Sequence, residues 1–249
     1  MNGNIYILQA ALKSIHVYRM EDKCWQKEIT RTEFDRPQDI AACSLLSVLF
    51  VLDMSRIWAV SKNDQVSAYV RLSEVSATMS ITQTHLLVIS SEGIRKYDRK
   101  PSVKPRASEV RLPEALKKNT KLWHAVETND GHLVAYIESA KFHRVSKITD
   151  SRRDKSKVEV FTYGKEVGPG EDQLSSPVYL AVEPSNGHIF VADHDNGRVV
   201  VLDGNLNRVF TIADLPEACY PTRLCYVEES GLLLVGMSNG LVVGYKFRR

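Results

Sequence analysis

Short runs of apolar residues, separated by polar turns, recur along most of this chain. The clearest copy covers residues 177–203, where three apolar runs are separated by two turns. The turns contain Asn186-Gly187 and Asn196-Gly197, dipeptides that supply the positive backbone torsions of tight hairpins. Val, Ile, Leu and Tyr dominate the runs, which are short enough to be strands. The pattern therefore predicts strand, turn, strand, turn, strand.

Fainter copies of this unit lie on both sides of it. Units begin near residues 37, 77, 122, 177 and 221, so that successive starts are 40, 45, 55 and 44 residues apart. Propeller blades repeat at roughly 40–50 residues, and the unit that begins near 122 is longer because it carries an insertion. Such a unit must pack against copies of itself to bury its faces. The predicted fold class is thus all-β, a β-propeller with six blades of four-stranded antiparallel sheets.

The first and last units are shorter than the others. The N-terminal unit, which starts near residue 1, opens on what corresponds to a second strand, and the unit at 221 stops after a third strand. We therefore expect incomplete first and last blades in a single propeller domain that spans residues 1–249. Either the ring closes imperfectly or the sequence is a piece of a longer chain, and the second explanation is the more natural one.

Composition places the chain among ordinary soluble proteins, with 43% hydrophobic and 25% charged residues. The longest apolar stretch, residues 40–52, is too short for a bilayer and contains polar residues, so no membrane partner is expected. None of the four cysteines stands at CxxC spacing, which argues against a zinc knuckle. We expect reduced, buried thiols and, since no basic and apolar leader follows Met1, a cytoplasmic location. The cysteines are Cys24, Cys43, Cys219 and Cys225.

The net charge of +3 conceals an uneven distribution. Residues 95–121 carry a net charge of +7 and residues 141–157 carry +5, so the rest of the chain carries −9. Both basic stretches are expected in loops or edge strands, and on one face they would attract phosphate. An acidic protein surface fits them equally well, and so does plain solvation. The candidate binding residues are Lys100, Lys104, Arg106, Lys117, Lys118, Lys121, Arg152, Arg153 and Lys155.

The unit at 177–203 resembles the NHL repeat. That family's pattern is a proline, an apolar strand, a glycine turn, a strand ending in Ala-Asp, then Asn-x-Arg-Val and a strand ending in Asp. The other units keep mainly the hydrophobic pattern. The resemblance implies a six-bladed propeller that serves as a recognition platform; in the tripartite-motif ligases such a propeller binds RNA or protein, and a separate RING domain carries the ubiquitin chemistry. The matching residues are Pro177, Gly187, Ala192-Asp193, Asn196, Arg198-Val199 and Asp203.

Candidate chemistry is sparse. Asp193 and Arg198 flank a tight turn, where an ion pair would tie one blade to the next. Asp193 and His194 form a poor acid–base pair, because neighbouring strand residues point to opposite faces. His124 resembles the zinc-binding histidines of propeller lyases, which stand at the starts of first strands, but the corresponding residues of the other units are not histidines and a zinc site needs several converging ligands.

Propeller lactonases, by comparison, hold calcium with Glu, Asn and Asp. Glu127, Asp39 and Asn129 are candidates of those types, although no motif fixes them. Trp123 is the nearest aromatic residue to the basic stretches, and it belongs either to the core or to the surface. With so few aromatics, base stacking of single-stranded RNA has little support.

Taken together, these patterns predict a non-enzymatic propeller that acts as a protein-recognition scaffold, with the basic loops contributing to one face. We predict no catalytic residues, cofactor or metal. Two alternatives stay open. One is an RNA-binding propeller of a ubiquitin-ligase-type protein, which would use the same loops. The other is a hydrolase or lyase with a metal in the channel of the propeller.

Overall fold

Short strands joined by tight turns make up nearly all the regular structure in the computed structural model. The model describes residues 3–54, 56–73, 76–90, 92–100, 105–110, 112–113, 116, 120–139, 141–148, 160–216 and 218–247. The chain divides into two compact units, residues 1–109 and 110–249. Apart from strands, these residues contain two single-turn 3-10 helices, Ala10–Leu12 and Glu228–Ser230. No helix among them is long and apolar enough to cross a membrane.

The first unit contains three antiparallel sheets, ordered β1-β2-β3, β4-β5-β6-β7 and β8-β9-β10-β11. Its strands are β1 (Asn4–Gln9), β2 (Ser14–Arg19), β3 (Trp25–Thr30), β4 (Pro37–Cys43), β5 (Val48–Asp53), β6 (Arg56–Ser61), β7 (Val66–Arg71), β8 (Ser76–Ile81), β9 (His85–Ser90), β10 (Gly93–Asp98) and β11 (Ala107–Glu109).

The second unit also contains three antiparallel sheets, ordered β12-β13-β14-β15, β16-β17-β18-β19 and β20-β21-β22. Its strands are β12 (Lys121–Glu127), β13 (Leu133–Glu138), β14 (His143–Ile148), β15 (Val160–Tyr163), β16 (Pro177–Val182), β17 (Ile189–Asp193), β18 (Arg198–Leu202), β19 (Arg208–Ile212), β20 (Pro221–Val227), β21 (Leu232–Met237) and β22 (Val242–Lys246).

Six sheets of this kind confirm the predicted fold class, an all-β six-bladed propeller. Each sheet is a meander in which strands adjacent in sequence pair with each other. Four sheets have four strands, whereas the first and the last have three among the described residues, as the truncated repeats predicted. The first strands of the later sheets begin at Pro37, Ser76, Lys121, Pro177 and Pro221.

The tight turns of the repeat use a single left-handed residue. Gly187 and Gly197 have φ of 72° and 60°, and the asparagine before each is not among the residues with positive φ. A glycine adopts this conformation without steric cost. Asn196 instead uses its side chain for hydrogen bonds, described below, so the Asn-Gly pairs act differently from the two-residue turn that the sequence predicted.

Burial on both faces explains the unbroken apolar runs of the central strands. In β17, Ile189 and Val191 pack in one cluster with residues of β13 and β14, including Val134. Phe190 and Ala192, on the opposite face of β17, belong to a second cluster with residues of β21. Because successive side chains alternate between faces, a sheet between two neighbours needs apolar residues at every position.

The four cysteines are all free. The prediction of buried thiols holds for Cys43 alone, because Cys24 and Cys225 are exposed and Cys219 is half-buried. Strand membership misled the prediction: Cys24 precedes β3, an outer strand with one face in solvent.

Candidate functional site

Three of the nine predicted basic residues lie in the described part of the chain. Lys100 and Arg106 are exposed residues of the first unit between β10 and β11. Lys121 is the first residue of β12 in the second unit, where its Nζ lies 5.9 Å from the ring centroid of Trp123. The other six lie outside the described residues: Lys104, Lys117, Lys118, Arg152, Arg153 and Lys155.

Strand register shows where the second basic stretch joins its sheet. Ile148 and Val160, the described residues that flank 149–159, pair at the end of the sheet opposite to that of Lys121. Gathering of the basic residues on one face therefore stays a prediction. Trp123 is 37% exposed, and its indole N–H donates to the Glu138 carboxylate, so it is a surface residue rather than a core residue.

The NHL-like unit is organised around the carboxylate of Asp193, which is fully buried. Its Oδ1 accepts the backbone N–H of Ser175 at 2.7 Å. Its Oδ2 accepts Arg198 Nε at 2.7 Å and Asn196 Nδ2 at 2.8 Å. Burial raises the pKa of Asp193, while the hydrogen bonds from Asn196, Ser175 and Arg198 oppose that shift. The ion pair expected from the sequence is present.

Arg198, which is paired with Asp193, also binds the segment that connects β15 and β16. Its guanidinium donates to the carbonyl oxygens of Pro169, Gly170 and Gln173 at 2.8–3.0 Å. Asn196 Nδ2 also donates to the carbonyl of Gly168 at 2.9 Å. The Asp-x-x-Asn-x-Arg motif therefore fixes the segment that leads from one blade into the next, which is a structural function.

In the first unit, the carboxylate of Asp53 holds the chain that enters a sheet, as Asp193 does in the second unit, but with different partners. Its carboxylate accepts the backbone N–H of Asp35 at 2.9 Å and of Arg36 at 2.6 Å, just before β4 begins. The indole N–H of Trp58 donates to Oδ2 at 3.2 Å, as Arg198 Nε does to Oδ2 of Asp193. An aspartate at the end of the second strand thus anchors the incoming chain in both units.

His124 links two neighbouring first strands. It is completely buried, and its Nδ1 accepts the backbone N–H of Leu180 at 3.2 Å. Its ring lies against Tyr179, with 3.7 Å between centroids. In the first unit Asp39 Oδ2 accepts the N–H of Met79 at 2.9 Å, also across two first strands. These contacts explain both residues as structural, and no group of three or more His, Cys, Asp or Glu that could hold a metal occurs among the described residues.

The most distinctive surface lies where the first strands of the second unit begin, which we call the leading edge. The side chains of His194 and Asp195 bond each other at 2.7 Å, and Ser176 Oγ donates to Asp195 Oδ2 at 2.6 Å. The His194 ring stacks on Tyr220, with centroids 5.1 Å apart. The backbone N–H of Ser238 donates to the carbonyl oxygen of Tyr220 at 2.8 Å, which connects Tyr220 to the turn before Leu241.

Two large side chains on this edge are open to solvent. Tyr220 is 44% exposed and Leu241 is 46% exposed. The hydrogen bond from Ser176, followed by the contact with His194, lowers the pKa of Asp195, which is therefore ionised at neutral pH. We call His194, Asp195, Tyr220 and Leu241 the leading-edge patch. The sequence analysis missed it because only the fold brings residues 194, 220 and 241 together.

The serine, histidine and aspartate beside the patch do not form a nucleophilic triad. Ser176 donates its hydroxyl to a carboxylate rather than to an imidazole, and a carboxylate of lowered pKa is a weak base. His143 Nδ1 accepts the backbone N–H of Ser176 at 2.8 Å, so it holds the main chain and does not activate the hydroxyl. The arrangement suits binding better than acyl transfer.

A buried carboxylate occupies the opposite, trailing edge of the same sheets. Glu183 is almost fully buried and receives four side-chain hydrogen bonds. Burial raises its pKa, but the bonds from the donors together outweigh burial, and the net pKa lies below its ordinary value. The donors are His188 at 2.7 Å, Asn186 and Tyr226 at 2.9 Å, and Ser185 at 3.2 Å.

Glu183→Gln is expected to destabilise the protein by about 2 kcal/mol at pH 7, because hydrogen bonds to a charged acceptor are lost. A carboxylate whose pKa is lower in the folded state stabilises above its unfolded pKa, and this contribution is lost as the pH falls through the folded pKa. The difference in the free energy of unfolding between wild type and variant, measured by urea unfolding, should therefore shrink as the pH falls below 4.5, the ordinary pKa of a glutamate. Glu229→Gln, at an exposed position, is the control. A gap of equal size at pH 7 and pH 3 would contradict the prediction.

Comparison with known proteins agrees with this geometry. The NHL-repeat family model matches residues 174–202, the segment that contains Asp193, Asn196 and Arg198. The chain is therefore a β-propeller in which one segment matches an NHL repeat. No curated protein matches its sequence.

Solved structures share the fold at low sequence identity. A nidogen–laminin complex matches with a TM-score of 0.71 and 13% identity, over 98% of this chain and 89% of that chain. A catalytically inactive virginiamycin B lyase from Staphylococcus aureus with quinupristin matches with a TM-score of 0.66 and 13% identity, over 99% and 78%. Hydrazine synthase from Kuenenia stuttgartiensis matches with a TM-score of 0.67 and 10% identity, over 98% and 92%. At these identities the chain shares a fold with binding proteins and enzymes alike, and nothing more.

Proposed function

We propose that this NHL propeller is a non-enzymatic protein-recognition scaffold and that a protein partner binds at the leading-edge patch. The observation that carries the proposal is the exposure of Tyr220 and Leu241 at fixed positions. Exposed aromatic and aliphatic side chains beside polar groups are typical of interaction sites, and tyrosine is enriched among residues that dominate binding energy. The fold of the nidogen–laminin complex is consistent with a binding use of such a propeller.

Charge favours protein over RNA at this patch. Asp195 is ionised and half-exposed, and a carboxylate repels phosphate. The predicted basic loops would add a contact for an acidic surface or for RNA, and RNA binding through them is the second hypothesis. The proposal also places the protein in the cytoplasm, which its four free cysteines support.

The test compares proteins retained from an extract of the source cells by the immobilised wild-type chain and by the Tyr220→Ala, Leu241→Ser double variant. A true partner should be retained by the wild type, with and without RNase, and its binding to the purified chain should weaken about 30-fold in the variant. That factor corresponds to about 2 kcal/mol, the size of a typical hot-spot loss. Calorimetric titration with the purified partner measures it.

A matched control changes comparably exposed residues of the same unit that do not belong to the patch. Phe161 and Val209 are 50% and 49% exposed on β15 and β19, so Phe161→Ala with Val209→Ser removes a comparable amount of exposed apolar surface. Equal losses in both double variants would show that the patch is not the site. Retention that disappears with RNase would replace the proposal with RNA binding.

A further inference from the structure

The carboxylate of Asp195 is the charged group of the leading-edge patch, and it is held in a fixed position. Its Oδ1 contacts His194 Nδ1 at 2.7 Å, and its Oδ2 accepts the hydroxyl of Ser176 at 2.6 Å, with a longer contact of 3.5 Å from Ser175. The side chain is half-exposed. Because an ionised carboxylate has about four acceptor positions, Asp195 can accept a further donor from solvent or from a partner.

The contact with Asp195 defines the hydrogen-bonding state of a neutral His194 ring. The lowered pKa of Asp195 keeps its carboxylate ionised, so that it can only accept. The proton of the neutral ring is therefore on Nδ1, which leaves Nε2 as an acceptor. No described residue bonds to Nε2. Asp195 and His194 thus both offer acceptors to a partner.

Tyr220 supplies a fixed aromatic surface beside these two acceptors. One face of its ring lies against His194, with 27° between the ring planes. Its main chain is held on both sides, because it accepts the N–H of Ser238 at 2.8 Å and donates its own N–H to the Ser238 hydroxyl at 3.2 Å. Aromatic faces attract cations, and a ring that is already fixed loses little freedom on binding.

The charge around the patch favours a cationic partner. The segments that carry the patch contain three carboxylates by sequence and no lysine or arginine. The arginines that follow two of them are already engaged, since Arg198 is paired with Asp193 and the guanidinium of Arg223 lies 5.1 Å from the ring centroid of Tyr179. A basic segment is therefore attracted to this surface, and an acidic one is repelled. The segments are residues 194–197, 213–222 and 238–241.

We propose that the leading-edge patch binds an arginine side chain from a basic segment of the protein partner, whose guanidinium donates to Asp195 and lies against the ring of Tyr220. Arginine fits better than lysine, because its planar guanidinium presents five donors and stacks on aromatic rings, whereas an ammonium is a compact point charge. The inference rests on the proposed function and names the chemistry by which the partner is recognised.

The probe is the peptide acetyl-Gly-Arg-Gly-amide, titrated into the unaltered, isotope-labelled chain and followed by nuclear magnetic resonance. It should shift the backbone amide signals of Asp195 and Tyr220 saturably, with a dissociation constant on the order of 1 mM. The same peptide with citrulline, which has a similar shape but no charge, should bind about tenfold more weakly, and the lysine peptide about threefold more weakly. Equal binding of the arginine and citrulline peptides, shifts confined to other residues, or no saturation would overturn the proposal.

A pair of chain variants separates a specific ion pair from general attraction. Asp195→Asn should weaken binding of the arginine peptide about tenfold, because the ionic acceptor is lost. Asp214→Asn removes the same charge from an exposed position in the segment that leads to Tyr220, and it should change binding by less than about twofold. Equal weakening by the two variants would contradict a site at Asp195.

The purified partner distinguishes failure of this inference from failure of the proposed function. Asp195→Asn should weaken partner binding about tenfold, as it does for the peptide. If the Tyr220→Ala, Leu241→Ser double variant weakens partner binding and Asp195→Asn does not, the patch is the binding site but it does not recognise an arginine. If neither change weakens partner binding, the proposed function fails as well.

Discussion

Asp193→Asn is expected to destabilise the protein by about 3–5 kcal/mol, the usual cost of removing one partner from a buried ion pair. The carboxylate is completely buried, and the Arg198 side chain is only 15% exposed. Without the negative charge, Arg198 keeps its carbonyl partners but loses its counter-ion in a region of low dielectric. Urea unfolding followed by circular dichroism measures the loss, and because the pair is buried it should persist at 1 M salt.

Asp203→Asn is the matched control for Asp193→Asn. Asp203 also follows a strand of this repeat, but it accepts hydrogen bonds within its own turn, from the N–H groups of Asn205 and Asn207 at 2.8 Å. The Asp203→Asn change should lower the free energy of unfolding by about 1 kcal/mol. In a double-mutant cycle, Asp193→Asn and Arg198→Leu together should cost less than the sum of the single changes. Strict additivity would show that the two side chains are not coupled.

Phe190→Ala is expected to cost about 3–5 kcal/mol, the range for removing a fully buried phenylalanine. Its ring is stacked with Tyr226, with centroids 5.6 Å apart, and meets the edge of Phe247 at 5.0 Å. These contacts join β17 to the last sheet, so the cavity would loosen the packing between two blades. The measurement is the midpoint of urea unfolding, with an unchanged slope if only stability is affected.

Phe161→Ala provides the control for Phe190→Ala, because Phe161 is 50% exposed on the outer strand β15. The same atoms are removed there, yet the free energy of unfolding should fall by no more than about 0.5 kcal/mol, as for most surface substitutions. A loss at Phe161 as large as that at Phe190 would mean that burial between blades is not the source of stability.

The architecture could be predicted from the local pattern of apolar and polar residues. Unbroken apolar runs such as the one at 189–193, bounded by Asn-Gly turns, determine short strands that need cover on both faces, and a unit of about 40 residues repeated along the chain leads to a propeller. The motif around Asp193 and Arg198 was also readable, because an acid and a base that flank a tight turn on paired strands are close in space by construction.

Local pattern was a poor guide to individual side chains. Trp123 was left open between core and surface, and three of the four cysteines are not buried, because the exposure of a side chain depends on which parts of the fold pack against it. His124 was weighed as a metal ligand from its position in the repeat, whereas its contacts with Leu180 and Tyr179 come from the next blade.

The sequence alone therefore determined the class of fold, its repeat and its local ion pair, since these depend on residues a few positions apart. Only the tertiary structure decided which surfaces are available for binding. The leading-edge patch joins positions 194, 220 and 241. It depends on contacts between residues distant in sequence, which no local pattern of apolar and polar residues encodes.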